Sequence, residues 1–459
     1  MTSMTYPAGL MVSVSGVRGV VGRTLTPELI ARFAAAFGSW AVAQGRARHV
    51  VVGRDSRVSG PMYHHIVVGA LRSVGCDVID IGLAPTPTVQ LAVEHHHAAG
   101  GIAITASHNP IEWNALKFVG ADGLFLDAAA GEAMRRYMDS GPVYASWESI
   151  GAEAQDAEAI ARHVDAVLRL PYLDVPGIRA RRFRVALDAC HGAGSAILPA
   201  LLAELGCEVF AIGMEADGRF PRPPEPVAEQ LGDLGALVQR SGAVVGLATD
   251  PDVDRLAIVD ERGEAIGEDW TLALAARVVL AKRPGPVVTN LSTSRILDDV
   301  AAAFGVAVTR APVGEVNVAL AMRRLGAVVG GEGNGGVILP DLHLGRDAPL
   351  GAALVLQLLH EAAVPLSQVV AAYPRYAILK DKLPRPNAPL DTVYAALRQA
   401  FADAEVDTQD GLRVAWTDRW LHVRPSGTEP IVRVIAEGPD AAAAQALVTR
   451  ARRELAALA

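Results

Sequence analysis

Leu71-Arg-Ser-Val-Gly-Cys-Asp-Val-Ile-Asp-Ile-Gly82 and Leu202-Ala-Glu-Leu-Gly-Cys-Glu-Val-Phe-Ala-Ile-Gly213 are one pattern written twice. Each reads as a helix end, a glycine stop and then a β-rich strand. A fainter third copy is Ala302-Ala-Phe-Gly-Val-Ala-Val-Thr-Arg310. Repeats at such long spacing point to duplicated α/β domains rather than a solenoid. Strands alternating with helices imply βαβ units and mostly parallel sheets. At 459 residues the chain exceeds a single core, so about three or four domains are expected.

Other elements fit this reading. Thr26-Pro27-Glu28 is a helix start, with a capping residue, a proline at the first position and an acid in the first turn. That helix runs to about Gly45, and His49-Val-Val-Val-Gly53 follows as a strand. Arg184-Val-Ala-Leu-Asp188 and Ala243-Val-Val-Gly-Leu247 are further buried strands. Gly218-Arg-Phe-Pro-Arg-Pro-Pro-Glu-Pro226 is too proline-rich for regular structure. Asp381-Lys-Leu-Pro-Arg-Pro-Asn-Ala-Pro389 reads as a connection into a smaller α+β domain.

Charge narrows the partners. The chain has 42 basic and 50 acidic residues, net −8. That argues against nucleic acid or an anionic membrane as the main partner. It leaves room for an anionic small substrate in a local basic cluster. Cys76, Cys190 and Cys207 lack metal-site spacing and fit a reducing cytoplasm. No secretory pattern opens the sequence, and no apolar run reaches the ~20 residues of a membrane helix. Nothing in the sequence reports the oligomeric state.

Four segments carry chemistry. The apolar run Gly101-Ile-Ala-Ile104 leads into Thr105-Ala106-Ser107-His108-Asn109-Pro110. The turn at Asn109-Pro110 presents Ser107 at a strand end beside His108, where backbone N–H groups can face an anion. Asp250-Pro251-Asp252-Val253-Asp254-Arg255 places three carboxylates at alternating positions, a set suited to Mg²⁺. A solvated acidic turn is the bland reading. A calcium loop is disfavoured, although Glu261 falls at its last ligand position, because Arg255 stands where that loop needs glycine. Gly330-Gly331-Glu332-Gly333-Asn334-Gly335-Gly336 allows close approach to a ligand and offers Glu332 and Asn334 to sugar hydroxyls. Arg424-Pro425-Ser426-Gly427-Thr428-Glu429-Pro430, with Arg433 beyond, reads as a phosphate cradle. Each of the last two is, alone, also an ordinary turn.

Taken in order, these four motifs resemble those of the α-D-phosphohexomutases, and the resemblance spans nearly the whole chain. It implies three related mixed-sheet α/β domains and a smaller C-terminal α+β domain around a central cleft. The corresponding boundaries are 1–150, 151–256, 257–372 and 373–459. It implies that Ser107 is the phosphoserine that donates and recovers the phosphoryl group. Asp250, Asp252 and Asp254 are then ligands of one Mg²⁺ per site, with the seryl phosphate of Ser107 as a further ligand. Gly16-Val17-Arg18-Gly19 resembles the N-terminal Gly-x-Arg-Gly, which puts Arg18 near the transferring group. Asn114-Ala115-Leu116-Lys117 resembles the segment whose lysine assists proton transfer. His108 accompanies the nucleophile. Arg255, Glu332 and Asn334 are read as substrate ligands, and Arg424, Ser426, Gly427, Thr428 and Arg433 as the hold on the non-reacting phosphate. A hexose bisphosphate would prime the enzyme.

Departures from the pattern touch specificity. Asn334 stands where many relatives have serine, and Gly336 where they have histidine or glycine. His343, in Leu342-His-Leu-Gly-Arg-Asp347, is read either as a substitute for that histidine or as a solvated loop residue. His191 is read as structural, and His95-His96-His97 as surface residues, because adjacent side chains do not share a face. The motifs look most similar to a phosphoglucosamine-mutase branch, which implies conversion of glucosamine 6-phosphate to glucosamine 1-phosphate. Phosphomannomutase/phosphoglucomutase activity is the near alternative. A metal-dependent sugar phosphatase and a non-catalytic sugar-phosphate sensor are more distant.

Overall fold

The structure is a computed structural model that describes residues 6–13, 16–45, 47–426 and 431–458. Its first three sheets share one plan. In each, a first strand pairs in parallel with the strand that follows the repeated helix: His49–Arg54 with Asp77–Leu83, Arg184–Asp188 with Glu208–Ile212, and Val287–Asn290 with Val308–Ala311. On its other side the first strand pairs in parallel with a third strand: Gly100–Ile104, Val245–Thr249 and Val329–Glu332, respectively. The chain then reverses, and an antiparallel strand packs on the third: Trp113–Gly120, Leu256–Val259 and Gly336–Ile338. The repeat read in the sequence is therefore a repeated topology.

This plan positions the motifs. The reversal between third and fourth strands holds Ser107 in the first unit, the three aspartates in the second and, just past Glu332 at the strand end, Asn334 in the third. All three loops leave the carboxyl end of a buried parallel strand, where open α/β sheets put ligands. The strands are continuous apolar runs because helices cover both faces, as Val50, Val51 and Val52, all fully buried, illustrate.

The first sheet is widened by Gly16–Val20, antiparallel to Trp113–Gly120, and by Met11–Ser13 at that edge. At the far edge Glu153–Gln155 joins Asp77–Leu83 in parallel. The boundary read at 150 thus falls before the last strand of the first sheet. The boundary read at 256 falls on Leu256–Val259, which belongs to the second sheet.

The C-terminal unit is a five-stranded antiparallel sheet with the helices Leu390–Ala400 and Ala441–Ala456. The segment read as a connection from Asp381 is partly a strand, since Ala377–Pro384 pairs with Ile431–Gly438 along its length. It is an edge strand, where a terminal proline removes no needed ladder bond. The helix at Thr26 runs Pro27–Ala43, as the sequence predicts, though Thr26 makes no side-chain cap bond. No helix among the described residues is long and apolar enough to cross a membrane.

Candidate active site

The four units enclose a cavity of about 440 Å³, lined among others by Arg18, Ser107, His108, Lys117, Arg255, Glu332, Asn334, Arg424 and Arg433. Ser107 sits in it at φ +49°. A serine in the left-handed region is uncommon and must be held there by its surroundings. Arg57, fully buried, does much of this. Its Nη2 donates to the carbonyls of Ser107 at 2.6 Å and Asn109 at 2.7 Å. Its Nη1 donates to those of Pro110 at 2.7 Å and Trp113 at 2.9 Å. Asp55 fixes Arg57 and also accepts from Thr105 Oγ1 at 2.7 Å. Ser107 Oγ donates to Asp250 Oδ2 at 2.8 Å, and His108 Nδ1 stands 3.4 Å from Oγ. Arg18 donates to Asn109 Oδ1 at 3.3 Å, which keeps its guanidinium beside the serine loop.

Asp250, Asp252 and Asp254 are wholly buried, and each turns a carboxylate oxygen to within 4.8 Å of the others. Val253, at φ +64°, bends the loop so that alternate residues point to one place. Thr86 N and Oγ1 tie Asp252 to the first unit at 2.9 and 2.6 Å. Lys117 Nζ lies 2.6 Å from Asp252 Oδ2 and 3.6 Å from Asp254 Oδ2. Burial would drive the Lys117 pKa down, but these two carboxylates outweigh it and hold the ammonium charged. Burial, with Asp254 and Asp252 alongside, pushes the Asp250 carboxyl well above its usual range. His108 is held well below the ordinary histidine pKa, first by Arg255 and then by burial. Oδ1 of Asp252 and Oδ1 of Asp254 are buried without a hydrogen-bond partner. Two orphaned carboxylate oxygens beside a third carboxylate are what a hard divalent cation satisfies.

Glu332 ends its strand with Oε1 accepting from Asn290 Nδ2 at 2.8 Å and Gly314 N at 3.0 Å. Its Oε2 accepts from Arg346 Nη1 at 2.7 Å. Asn334 faces the cavity with its Oδ1 unpartnered. Arg255 Nη1 lies 3.0 Å from Glu225 Oε1. Below this loop, Asp269 accepts from Ser294 N at 2.8 Å. Burial pushes the Asp269 carboxyl up to about 7. From its ordinary 3.8 to about 7, the native state holds a proton that the unfolded chain releases, so this group's contribution falls as pH rises through that window. Asp269→Asn should flatten the decline. Melting temperatures of both proteins from about pH 4 to pH 7.5 check this, and parallel curves would contradict it.

Arg424 and Arg433 stand directly opposite each other on antiparallel strands. Like charges so placed repel unless an anion lies between them. Asp410 Oδ2 lies 2.9 Å from Arg424 Nε, in an ion pair without hydrogen-bond geometry, and the Nε of both arginines lack a hydrogen-bond partner. These donors suit a phosphate. Ser426 N donates to Ile431 O, closing the hairpin base. Gly427 and Thr428, also assigned to this cradle, lie outside the described residues.

The structure thus brings Arg18, Ser107, His108, Lys117, Arg255, Glu332, Asn334, Arg424 and Arg433 to one cavity, with the three aspartates against Ser107. His343 is an exception to both of its readings. It is buried, accepts from Gly345 N at 3.1 Å through Nδ1 and pairs with Asp347 Oδ2 at 3.0 Å through Nε2. It does not line the cavity. His191 pairs with Asp217 and Glu215, consistent with a structural role. Arg57, Arg346, Glu315 and Asp410 were missed.

The chain matches phosphoglucomutase/phosphomannomutase alpha/beta/alpha domain I over residues 10–143, domain II over 161–263 and domain III over 267–376. It matches the C-terminal domain of the same group over 382–454. The chain belongs to the phosphoglucomutase/phosphomannomutase family. Within the family, it is 39% identical to a protein of Methanopyrus kandleri named probable phosphoglucosamine mutase, over 94% of each chain. It is also 39% identical to a phosphoglucomutase/phosphomannomutase of Thermococcus kodakarensis, again over 94% of each. A phosphoglucomutase/phosphomannomutase family protein of Burkholderia thailandensis superposes with a TM-score of 0.84 at 29% identity, covering 98% of both chains. An N-acetylphosphoglucosamine mutase of Aspergillus fumigatus, solved with GlcNAc-6P and magnesium, shares the fold at a TM-score of 0.60 and 14% identity, over 98% of this chain and 96% of that one.

Proposed function

We propose that this phosphohexomutase, an isomerase, interconverts hexose 6-phosphate and hexose 1-phosphate through phospho-Ser107 and a hexose bisphosphate. Glucosamine 6-phosphate is its preferred substrate. The observation that carries the reading is Ser107 Oγ, 2.8 Å from Asp250 and beside two orphaned aspartate oxygens, in one cavity with the opposed Arg424 and Arg433. A nucleophile and a separate phosphate hold are what a mutase needs, and a phosphatase has no use for turning its product around.

Asp250, Asp252 and Asp254 would hold Mg²⁺. Bound there, the ion would supply charge neutralisation at the phosphoryl oxygens. The chain's own residues do the rest. Arg18 and the ammonium of Lys117 face the charge that spreads over the phosphoryl group. As the bond from phosphorus to Ser107 Oγ breaks and that to the sugar oxygen forms, the sugar hydroxyl's proton passes by way of His108, 3.4 Å from Oγ, to the serine oxygen that leaves. Lys117, read from the resemblance as the proton carrier, is held as a charged group by Asp252. Arg424 and Arg433 hold the other phosphate while Glu332 and Asn334 take sugar hydroxyls. The bisphosphate then turns within the cleft, and Ser107 recovers a phosphoryl group from its other end.

The amino sugar is favoured by Glu225 and Glu268, acids on the cavity wall, and by the name of the Methanopyrus relative. The dual name of the Thermococcus relative supports a second reading, mannose and glucose phosphates. Rates on glucosamine, mannose and glucose 6-phosphates, with Mg²⁺ and bisphosphate primer, decide. The highest kcat/KM on glucosamine 6-phosphate is expected, and a higher value on either neutral sugar overturns the preference.

The phosphate hold has its own test. Arg424→Lys keeps the charge but loses the fork. KM should rise strongly, with ~1.5–3 kcal/mol lost per charge-assisted bond. A smaller fall in kcat should follow from poorer orientation. Phosphorylation of Ser107 by bisphosphate should persist. Saturation kinetics giving an unchanged KM with a collapsed kcat would place Arg424 at the transfer centre instead.

A further inference from the structure

Arg346 sits where three separate segments meet. Its side chain is 9% exposed, and its three nitrogens go to three different carboxylates. Nε donates to Glu315 Oε2 at 2.9 Å, Nη1 to Glu332 Oε2 at 2.7 Å, and Nη2 to Asp254 Oδ2. These acids come from separate places: the start of the helix Glu315–Leu325, the sugar-facing loop and the aspartate loop. Gln90 of the first unit adds a donor to Glu315 Oε1 at 3.2 Å.

Two glycines make the arrangement fit. A Cβ on Gly336 would come within 2.3 Å of Arg346 Cδ, and one on Gly345 within 2.3 Å of Gln90 Oε1. Gly336 has no left-handed φ to demand glycine. Its missing side chain is the space that Arg346 fills.

We propose that Arg346 is a positioning residue for phosphoryl transfer: its one guanidinium fixes the sugar-facing carboxylate of Glu332 relative to the cation-facing carboxylate of Asp254. The inference rests on the mutase reading, which gives those two acids their ligands. The bond accounting sharpens it. A carboxylate oxygen has two acceptor positions. Glu332 Oε1 has filled both, with Asn290 and Gly314, and Oε2 has filled one, with Arg346. Glu332 therefore presents one open acceptor, on the oxygen that Arg346 aims. The distance of that acceptor from the aspartate loop is set by the width of the guanidinium. A lysine is a point charge with no planar fork and cannot hold both acids at once.

Two full-length variants test this. Arg346→Lys keeps the net charge, so any change in cation affinity reports geometry. Gly336→Ala keeps Arg346 and pushes its side chain aside. Mn²⁺ is titrated calorimetrically into sugar-free protein, KM and kcat are measured on glucosamine 6-phosphate, and melting temperatures are recorded. In both variants KM should rise, by about tenfold or more for Arg346→Lys, the scale of one lost charge-assisted bond. Mn²⁺ binding should weaken several-fold in the same proteins, and Gly336→Ala should show the smaller effects. Wild-type KM and wild-type Mn²⁺ affinity in both variants would overturn the proposal, whatever their melting temperatures. If the wild-type protein instead isomerises no sugar phosphate, the mutase reading is what fails, and the Mn²⁺ titration still reports whether Arg346 orders Asp254.

Discussion

Ser107→Ala should abolish turnover while leaving the protein folded. The lost hydroxyl makes one side-chain bond of defined geometry, to Asp250, and a longer approach to His108. The loop's shape depends instead on backbone atoms held by Arg57 and on Thr105. The cost to the fold is therefore that of one buried hydrogen bond, about 1 kcal/mol, plus some added strain, since alanine also disfavours a left-handed φ. Losing a covalent nucleophile removes the route itself, and a fall of ~10⁴-fold or more is expected. Initial rates with bisphosphate primer, alongside a melting curve, provide the check. A variant that retains turnover within about tenfold would remove Ser107 from the chemistry.

Asp252→Asn should lose ~100-fold or more in kcat, the scale expected when a ligand that organises phosphoryl charge is lost. Its effect on stability is the sum of opposed contributions. Mutual repulsion within the buried acidic triad is relieved, while the pairing with half-buried Lys117 weakens. The asparagine oxygen can still accept from Thr86 and Lys117, and Lys117 keeps Asp254 at 3.6 Å. The protein should therefore fold, and its loss should appear in catalysis. Wild-type protein in EDTA should fall comparably and recover with Mg²⁺. Near-normal turnover in EDTA would contradict the cation role of the triad.

The sequence displayed the parts of this site that sit together in one loop. Ser107 with His108, the alternating aspartates, and Glu332 among glycines each lie on a single chain reversal, so local spacing carries their geometry. The repeat read at Gly75, Gly206 and Gly305 also held, because each glycine ends a helix at positive φ before an edge-ward strand. Arg57, Asp410 and Arg346 were not visible, since each acts on partners far along the chain. Arg57 holds the serine loop from about fifty residues upstream, Asp410 joins Arg424 to Val313 N, and Arg346 gathers acids from three segments. A signal for Arg346 did exist. Asp347 caps the helix Ala348–Ala362 by accepting from Leu350 N, so the residue before it had to sit at a strand-to-helix corner, where sites form. Asp381 to Pro384 was misread because its prolines suggest a loop, while an edge strand tolerates one at its end.

The central claim is that Ser107 carries the phosphoryl group between the two ends of one sugar. The most direct test loads the protein with ³²P from a labelled hexose bisphosphate, maps the label by peptide analysis, and chases it in a single turnover with unlabelled glucosamine 6-phosphate and Mg²⁺. Label is expected on Ser107 alone, leaving it in the chase as bisphosphate and then as hexose phosphate. Label released as inorganic phosphate, or never found on Ser107, would contradict the account.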